Sequence, residues 1–157
     1  NLMLKYESTL VTFTEVPDEI SLCFNLTLCP CHCQGCFEPW LTEDSGTILT
    51  IAEIEKWLLK KPHCTCICFM GGDNDHESLV QLCQEIRQLW PHLKLAMYSG
   101  CHKWDEKVAQ VLDYYKVGPY IPQAGPLNKS TTNQRFFKKE AGENWQDITY
   151  RFQEKKE

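Results

Sequence analysis

Residues 65 to 73 read Thr-Cys-Ile-Cys-Phe-Met-Gly-Gly-Asp, and this stretch does most to decide the fold. The apolar run from Thr65 to Met70 has the length of a buried strand, and tandem glycines after a strand permit positive φ in a tight turn. Apolar side chains then recur at helical spacing from Leu79 to Leu89. A further apolar run from Lys94 to Ser99 completes a predicted strand-helix-strand unit.

The same alternation of strand and helix continues on both sides of this unit. Residues 20 to 28 predict an earlier strand, and residues 50 to 60 predict a helix with Thr50 as its N-cap. Residues 104 to 112 predict a third helix, and Tyr114 to Val117 a fourth strand. Such alternation favours an α/β fold with parallel strands and right-handed crossovers. A closed eight-stranded barrel takes about 250 residues, so this chain predicts a partial (open) parallel β/α barrel of about five or six strands.

Length and composition indicate one domain over residues 1 to 157, with a core of about residues 18 to 122 and a C-terminal extension of about residues 123 to 157. The net charge of −5 disfavours binding to nucleic acid, which usually requires a basic surface. No apolar stretch approaches the roughly 20 residues of a membrane span, and no basic and apolar leader begins the chain. We therefore expect a soluble, cytoplasmic protein that binds neither nucleic acid nor membrane.

The chain contains ten cysteines. A secreted disulfide scaffold would usually be shorter and poorer in strand-helix alternation, whereas clustered cysteines in a reducing compartment more often bind metal. Cys64, Cys66 and Cys68 alternate along a predicted strand, so their sulfurs would share one face. A second metal site there is conceivable, but burial in the core as small apolar side chains is favoured. The same core position is predicted for Cys23, Cys83 and Cys101.

The densest cysteine cluster is residues 28 to 36, which read Leu-Cys-Pro-Cys-His-Cys-Gln-Gly-Cys. Cys29, Cys33 and Cys36 have C-x3-C-x2-C spacing, and thiolates are the usual protein ligands of iron-sulfur clusters. Three thiolates can hold three irons of a cubane cluster and leave the fourth iron for a substrate. We predict these three cysteines as the metal ligands and Cys31 as a residue that does not bind the metal.

A zinc knuckle is the alternative for the same loop. The three predicted ligand cysteines with either Cys31 or His32 could form the closed tetrahedral site that is typical of structural zinc. Such a site would explain neither the Gly71-Gly72-Asp73 turn nor the alternation of strands and helices. The iron-sulfur interpretation is therefore preferred.

Two motifs in this order resemble the radical S-adenosylmethionine (SAM) superfamily: the cysteine loop and, about one βα unit later, Phe69-Met70-Gly71-Gly72-Asp73. The segments Val117-Gly118-Pro119-Tyr120-Ile121 and Thr132-Asn133-Gln134-Arg135-Phe136-Phe137 are similar to one branch, the activating proteins of anaerobic ribonucleotide reductase. A glycine before the last cysteine of the loop and an aromatic residue after it, Gly35 and Phe37, also fit that branch. The resemblance covers nearly the whole chain.

The resemblance implies a partial barrel of the radical SAM type with two cofactors, a [4Fe-4S] cluster and SAM. The three predicted ligand cysteines would hold the cluster, and no catalytic side chain beyond the cofactor ligands is required. The turn Gly71-Gly72-Asp73 would bind the methionine end of SAM, with Asp73 as an acceptor for its amino group. The alternative for Asp73 is a cap for the following helix. Gly35 and Phe37 would lie near the adenine.

The implied function is that of a radical SAM oxidoreductase that activates another protein. An electron passes to the cluster, SAM is cleaved to methionine and a 5′-deoxyadenosyl radical, and that radical takes a hydrogen atom from one glycine of the partner. The implied partner is the glycyl-radical subunit of anaerobic ribonucleoside-triphosphate reductase, and a low-potential donor such as a flavodoxin would supply the electron. One alternative is an activase of another glycyl-radical protein or another small radical SAM enzyme. An alternative of another class is a zinc-stabilised binding module without turnover.

Three further groups of residues are weaker candidates. Asn133, Gln134 and Arg135 could line the open edge of the barrel, touching the cofactor or the partner, or could form only a polar turn before two phenylalanines. Tyr98 and Ser99 are cofactor candidates because they end a predicted strand. The histidines show no metal-ligand spacing with one another and are predicted as surface or loop residues: His63, His76, His92 and His102.

Overall fold

The computed structural model describes residues 3–27 and 46–153. These residues form eight strands and three α-helices. The strands are β1 (Lys5–Thr12), β2 (Ser21–Leu26), β3 (Thr47–Ile48), β4 (Cys66–Met70), β5 (Lys94–Tyr98), β6 (Tyr114–Val117), β7 (Arg135–Lys139) and β8 (Trp145–Asp147). The helices are α1 (Ile51–Lys60), α2 (His76–Leu89) and α3 (Glu106–Val111).

The described strands form one sheet in the order β3-β1-β2-β4-β5-β6-β7-β8. Its four central strands, β2, β4, β5 and β6, are parallel, and each lies where a strand was predicted. The outer strands β1, β3, β7 and β8 are antiparallel and are additional to the prediction. The described residues thus contain four parallel strands where about five or six are predicted. A partial barrel stays a prediction.

Each helix begins at a polar residue whose side chain accepts a backbone N–H: Thr50 for α1, Asp75 for α2 and Asp105 for α3. The predicted cap of α1 is confirmed, since the Glu53 amide donates to Thr50 Oγ1 at 3.2 Å. None of the described helices is long and apolar enough to span a membrane. The helices α2 and α3 follow β4 and β5, so their N-termini lie at the carboxyl ends of the parallel strands.

Side chains that alternate along the strands divide the apolar interior into two cores. On the helix side, the sheet packs against apolar residues of α1, α2 and α3, among them Ile54, Leu79 and Val108. We call the other side the helix-free face. Its buried residues from the sheet are Cys23, Cys66, Cys68, Ala96, Tyr114 and Phe136, and it is covered by Val16, Leu127 and Ile148.

The six cysteines of the described residues are all free thiols. Cys66 and Cys68 lie on the helix-free face beside Cys23. The spacing alone predicted that Cys64 would share this face, and that prediction is wrong. β4 begins only at Cys66, and Cys64 packs with the helix-side core. Burial is confirmed for all of these and for Cys83, whereas Cys101 is half-buried. In residues 3–27 and 46–153, no three His, Cys, Asp or Glu side chains are grouped to hold a metal ion.

Candidate cofactor site

The carboxyl ends of β2, β4, β5 and β6 meet at one edge of the sheet, because these strands are parallel neighbours. The segments that leave this edge are Thr27, the turn Gly71-Gly72-Asp73, the pair Ser99-Gly100 and the pair Gly118-Pro119. Ligands of open α/β sheets bind outside the carboxyl ends of the strands. We therefore call this region the carboxyl edge and examine the predicted site residues there.

The two glycines of the turn have the backbone conformation that their sequence predicts. Gly71 has φ of 115° and Gly72 has φ of 107°, values that side-chain-bearing residues rarely adopt. The Gly71 amide donates to the Tyr98 carbonyl at 3.0 Å, and the Gly72 carbonyl accepts from the Asp75 amide at 3.2 Å. The turn is thus tied on one side to β5 and on the other to the start of α2.

The same turn packs against the end of β2. A Cβ built on Gly71 would lie 3.4 Å from Leu26 Cβ, and one on Gly72 would lie 3.4 Å from Leu26 Cδ1. Leu26 is three positions before Cys29 in the chain. The chain just before the cysteine loop therefore lies directly beside the glycine turn.

Asp73 has a buried carboxylate, with 2 % of its side chain exposed. Its Oδ1 accepts from Ser99 Oγ at 2.8 Å and lies 2.9 Å from His76 Nε2, and its Oδ2 accepts from the Gly100 amide at 2.8 Å. Burial raises the pKa of Asp73, but these hydrogen bonds together hold the pKa below its ordinary value. The carboxylate therefore joins the end of β4 to the end of β5. It does not cap α2, since Asp75 Oδ1 accepts from the Ser78 amide at 3.0 Å.

His76 occupies a position that its sequence does not predict. Its Nε2 lies 2.9 Å from Asp73 Oδ1, and its Nδ1 lies 2.8 Å from Asp105 Oδ2. The interpretation as a plain surface or loop residue is wrong, because the ring is wedged between two carboxylates and 27 % of the side chain is exposed. The Asp-x-x-His spacing was the available signal, since residues three apart meet at the start of a helix. Asp105, thirty-two positions after Asp73, had no such signal.

A row of four side chains crosses the helix-free face at the carboxyl edge. Asn25, Met70, Tyr98 and Lys116 are direct neighbours in the register of β2, β4, β5 and β6. Lys116 is buried, and its Nζ donates to the Ser99 carbonyl at 3.0 Å and the Gly118 carbonyl at 2.8 Å. An amide, a thioether, a phenol and an ammonium group therefore stand at successive strand ends. Of these four, only Tyr98 was a candidate from its sequence position.

The segment Asn133-Gln134-Arg135 reaches the same edge in part. Asn133 Nδ2 donates to the Pro119 carbonyl at 3.0 Å, and a Cβ on Gly118 would lie 3.2 Å from Gln134 Cα. Arg135 begins β7 and pairs with Asp147 at 3.7 Å. The segment is thus a turn that packs on the end of β6, and a contact with cofactor or partner stays a prediction.

The remaining predicted site residues lie outside the described residues. They are the predicted ligands Cys29, Cys33 and Cys36, the neighbouring Cys31, and the predicted adenine contacts Gly35 and Phe37. The described residue that connects the two motifs is Leu26, which precedes the cysteine loop in the chain and packs against the glycine turn. Thiolate donors at C-x3-C-x2-C spacing fit an iron-sulfur cluster.

Comparison with known families supports an iron-sulfur cluster in this chain. A family model described as a 4Fe-4S single cluster domain matches residues 20–143. This span includes the cysteine loop, the glycine turn and the strands β4, β5 and β6. No curated protein and no solved structure matches the chain.

Proposed function

This chain belongs to the family of 4Fe-4S single cluster domains, and we propose that it is a radical SAM activase that generates a glycyl radical on anaerobic ribonucleotide reductase. The family accounts for the iron-sulfur cluster. The use of SAM, the activation reaction and the partner are the proposal. One observation carries it: the glycine turn lies against Leu26, where β2 passes into the cysteine loop.

This contact supports one ligand that touches both motifs. A small molecule at the carboxyl edge could reach the loop with one end and the backbone of Gly71 and Gly72 with the other. Among the described residues, the Gly71 carbonyl and the Gly72 amide have no hydrogen-bond partner, while the other two polar groups of these glycines bond to protein. A free carbonyl and a free amide suit the amino and carboxylate groups of a methionine moiety.

The chain's own residues bind and orient in this proposal. Cys29, Cys33 and Cys36 would hold the cluster, which would supply the electron for reductive cleavage of SAM. The Asp73 carboxylate keeps the turn against β5 through Ser99 and the Gly100 amide, and its negative charge favours a cationic amine nearby. By the resemblance, Gly35 and Phe37 would lie near the adenine. No side-chain acid or base takes part.

The proposal also includes access for the partner, an electron donor and a cellular location. An open barrel leaves one side free for the partner's glycine loop, and a low-potential donor such as a flavodoxin supplies the electron. The six cysteines of the described residues are all free thiols, which is typical of a reducing compartment. This supports a cytoplasmic location.

The test is anaerobic reconstitution with iron and sulfide, followed by reduction and chromatographic measurement of 5′-deoxyadenosine from SAM. We expect about four irons per chain and product formation that is lost in Cys29→Ala, Cys33→Ala and Cys36→Ala. Cys31→Ala is the matched control from the same loop and should retain both iron and turnover. Four bound irons without cleavage of SAM, even with the reductase added, would contradict the activase function.

The same preparation separates the alternatives. Colourless protein that contains zinc and no iron would identify a binding module without turnover. An iron-sulfur protein that cleaves SAM but leaves the reductase without an organic radical signal in electron paramagnetic resonance would indicate an activase of another protein.

A further inference from the structure

His76 connects three elements at the carboxyl edge. It is the first residue of α2, its Nε2 meets the Asp73 carboxylate of the glycine turn, and its Nδ1 meets the Asp105 carboxylate at the start of α3. We call these two contacts the His76 bridge. Neither contact is needed to cap a helix, because Asp75 caps α2 and Asp105 caps α3 through its other oxygen, Oδ1.

We propose that His76 is a positioning residue, which holds the Gly71-Gly72-Asp73 turn in its ligand-binding form by bridging Asp73 and Asp105 as an imidazolium. This inference rests on the proposed function in so far as it takes SAM as the ligand of the turn. The bridge itself is a property of the protein without ligand and can be tested without SAM.

The geometry of the two contacts requires a proton on each ring nitrogen. A neutral imidazole has one N–H donor and one acceptor nitrogen, so it can donate to only one of two carboxylates. The other nitrogen would then direct its lone pair at a carboxylate oxygen less than 3 Å away. An imidazolium donates to both and also separates two negative charges, so it is the form that fits this arrangement.

The ionisation of the surrounding groups agrees with that geometry. The hydrogen bond to Asp73, and then the one to Asp105, raise the pKa of His76 above its ordinary value of 6.5, against the opposing effect of burial. Burial raises the pKa of Asp105, but the hydrogen bond from His76 and the helix amides lower it overall. Among the described residues, Tyr115 of β6 interacts electrostatically with Asp73 and Asp105 of this cluster and with Cys101 of the loop after β5. The pKa of Tyr115 is raised to about 12, chiefly by burial, so its hydroxyl carries no charge near neutral pH.

Loss of the bridge would act on the turn through Asp73. Without the imidazolium, the buried Asp73 carboxylate keeps, among the described residues, only Ser99 and the Gly100 amide as partners. The turn then loses its connection to α3, and the orientation of the Gly71 carbonyl and the Gly72 amide is less well defined. Ligand binding weakens as a result, because part of the binding energy must be used to order the turn.

The pH dependence follows from the sign of the shift. A raised folded-state pKa stabilises the protein fully below pH 6.5, and this stabilisation is lost as pH rises through the folded-state pKa of His76. The affinity of the reconstituted protein for SAM should therefore fall as the pH is raised across that range. A histidine with a merely structural role would give no such pH profile.

The first experiment is a titration of the histidines by NMR in the protein labelled with ¹⁵N-histidine, using His76→Gln to assign the resonance. His76 should titrate above 6.5, with both ring nitrogens protonated at pH 6. Asp105→Asn, which removes one charge and keeps a side-chain oxygen, should lower the pKa of His76. Titration of His76 at or below 6.5 would overturn the proposal.

The second experiment measures SAM binding by anaerobic calorimetry on the reconstituted protein. His76→Gln should weaken binding at pH 6.5 by about tenfold, the effect of losing one charge-assisted hydrogen bond, with unchanged iron content. Its affinity should no longer depend on pH between about 6.5 and 8.5, a range set by the ordinary histidine pKa. His92→Gln, the matched control, should behave as wild type. Equal pH dependence in wild type and His76→Gln would overturn the positioning role.

A third measurement separates this inference from the proposed function. If wild-type protein does not bind SAM, the proposed function fails. The existence of the His76 bridge is then tested by thermal unfolding alone. The unfolding temperature of the wild type should fall as the pH rises past the His76 pKa. The unfolding temperatures of His76→Gln and Asp105→Asn should fall less over the same range. If His76→Gln does not fold, the bridge is tested by the titration of His76 together with the thermal unfolding of Asp105→Asn.

Discussion

Gly71 packs directly against Leu26, so that a Cβ on the glycine would lie 3.4 Å from the Cβ of the leucine. Leu26 is the last residue of β2, and Gly71 follows the last residue of β4. The two strands are parallel neighbours, which brings Leu26, three positions before Cys29, beside the glycine turn. The site proposed here depends on this pairing.

The turn should not tolerate side chains. Gly71→Ala places a Cβ at φ of 115°, outside the left-handed region that other residues occasionally adopt, and should cost about 2 to 3 kcal/mol of unfolding free energy. Gly142→Ala is the matched control, because φ of 76° and ψ of 22° lie in the left-handed region and the nearest atom to a new Cβ is 3.8 Å away. It should cost about 1 kcal/mol. Chemical denaturation of both variants measures the difference, and equal losses would contradict the prediction.

The Asp73 carboxylate should make the protein sensitive to acid. Its lowered pKa means that the stabilisation is present above the ordinary value of 3.8 and is lost as pH falls through the folded-state pKa. Asp73→Asn removes the charge and should cost about 1.5 to 3 kcal/mol near pH 6, the usual contribution of a hydrogen bond to a charged group. Unfolding temperatures between about pH 3 and 6 should fall less steeply in Asp73→Asn than in wild type, since this range spans the ordinary carboxyl pKa. Parallel curves would argue against a native carboxylate.

Lys116 should be a structural cation of the carboxyl edge. Its Nζ donates to the carbonyls of Ser99 and Gly118, and Lys116→Met would leave these acceptors without that donor. We expect a loss of about 1 to 3 kcal/mol of unfolding free energy. Lys94→Met, on the exposed start of β5, is the matched control and should change stability by less than about 0.5 kcal/mol. Equal unfolding free energies for Lys116→Met and Lys94→Met would show that the Lys116 ammonium group does not stabilise the fold.

Thiol reactivity should follow burial. Desolvation raises the pKa of the Cys83 thiol to about 12 and raises that of Cys66 further, so neither forms thiolate at pH 8. Iodoacetamide added to folded protein at pH 8 should modify half-buried Cys101 and leave Cys66 and Cys83 unmodified. Peptide mapping by mass spectrometry reads out the sites, with urea-unfolded protein as the control in which all three react. Fast modification of Cys83 in folded protein would show that the helix-side core opens readily.

The parallel strands and the helices could be predicted from the sequence because each depends on local patterns. The Thr50 cap, the apolar stripe of α2 and the positive φ of Gly71 and Gly72 all follow from residues within a few positions of one another. The strands β1, β7 and β8 escaped prediction because they lie outside the parallel centre of the sheet and have short or weakly alternating patterns. Their pairing is decided by the sheet they join.

The candidate site divides in the same way. Its two motifs, the cysteine spacing and the Gly-Gly-Asp turn, are each formed by residues close together in the chain, and both lie within the residues that the family model matches. The partners of Asp73 could not be predicted, because Ser99 and Gly100 follow a different strand. Asp73 therefore appeared as a free acceptor, whereas its carboxylate is largely engaged within the protein.

The sequence by itself determined which candidate groups the chain carries. These are cysteines at the spacing predicted for a cluster and two glycines whose positive φ suits a tight turn. Tertiary structure alone decided which of these groups meet. The pairing of β2 with β4 brings Leu26 to Gly71, and the packing of α2 on α3 brings His76 between Asp73 and Asp105. The physical reason is that spacing along the chain specifies local conformation, whereas contacts between distant segments arise only when the apolar faces of strands and helices are buried together.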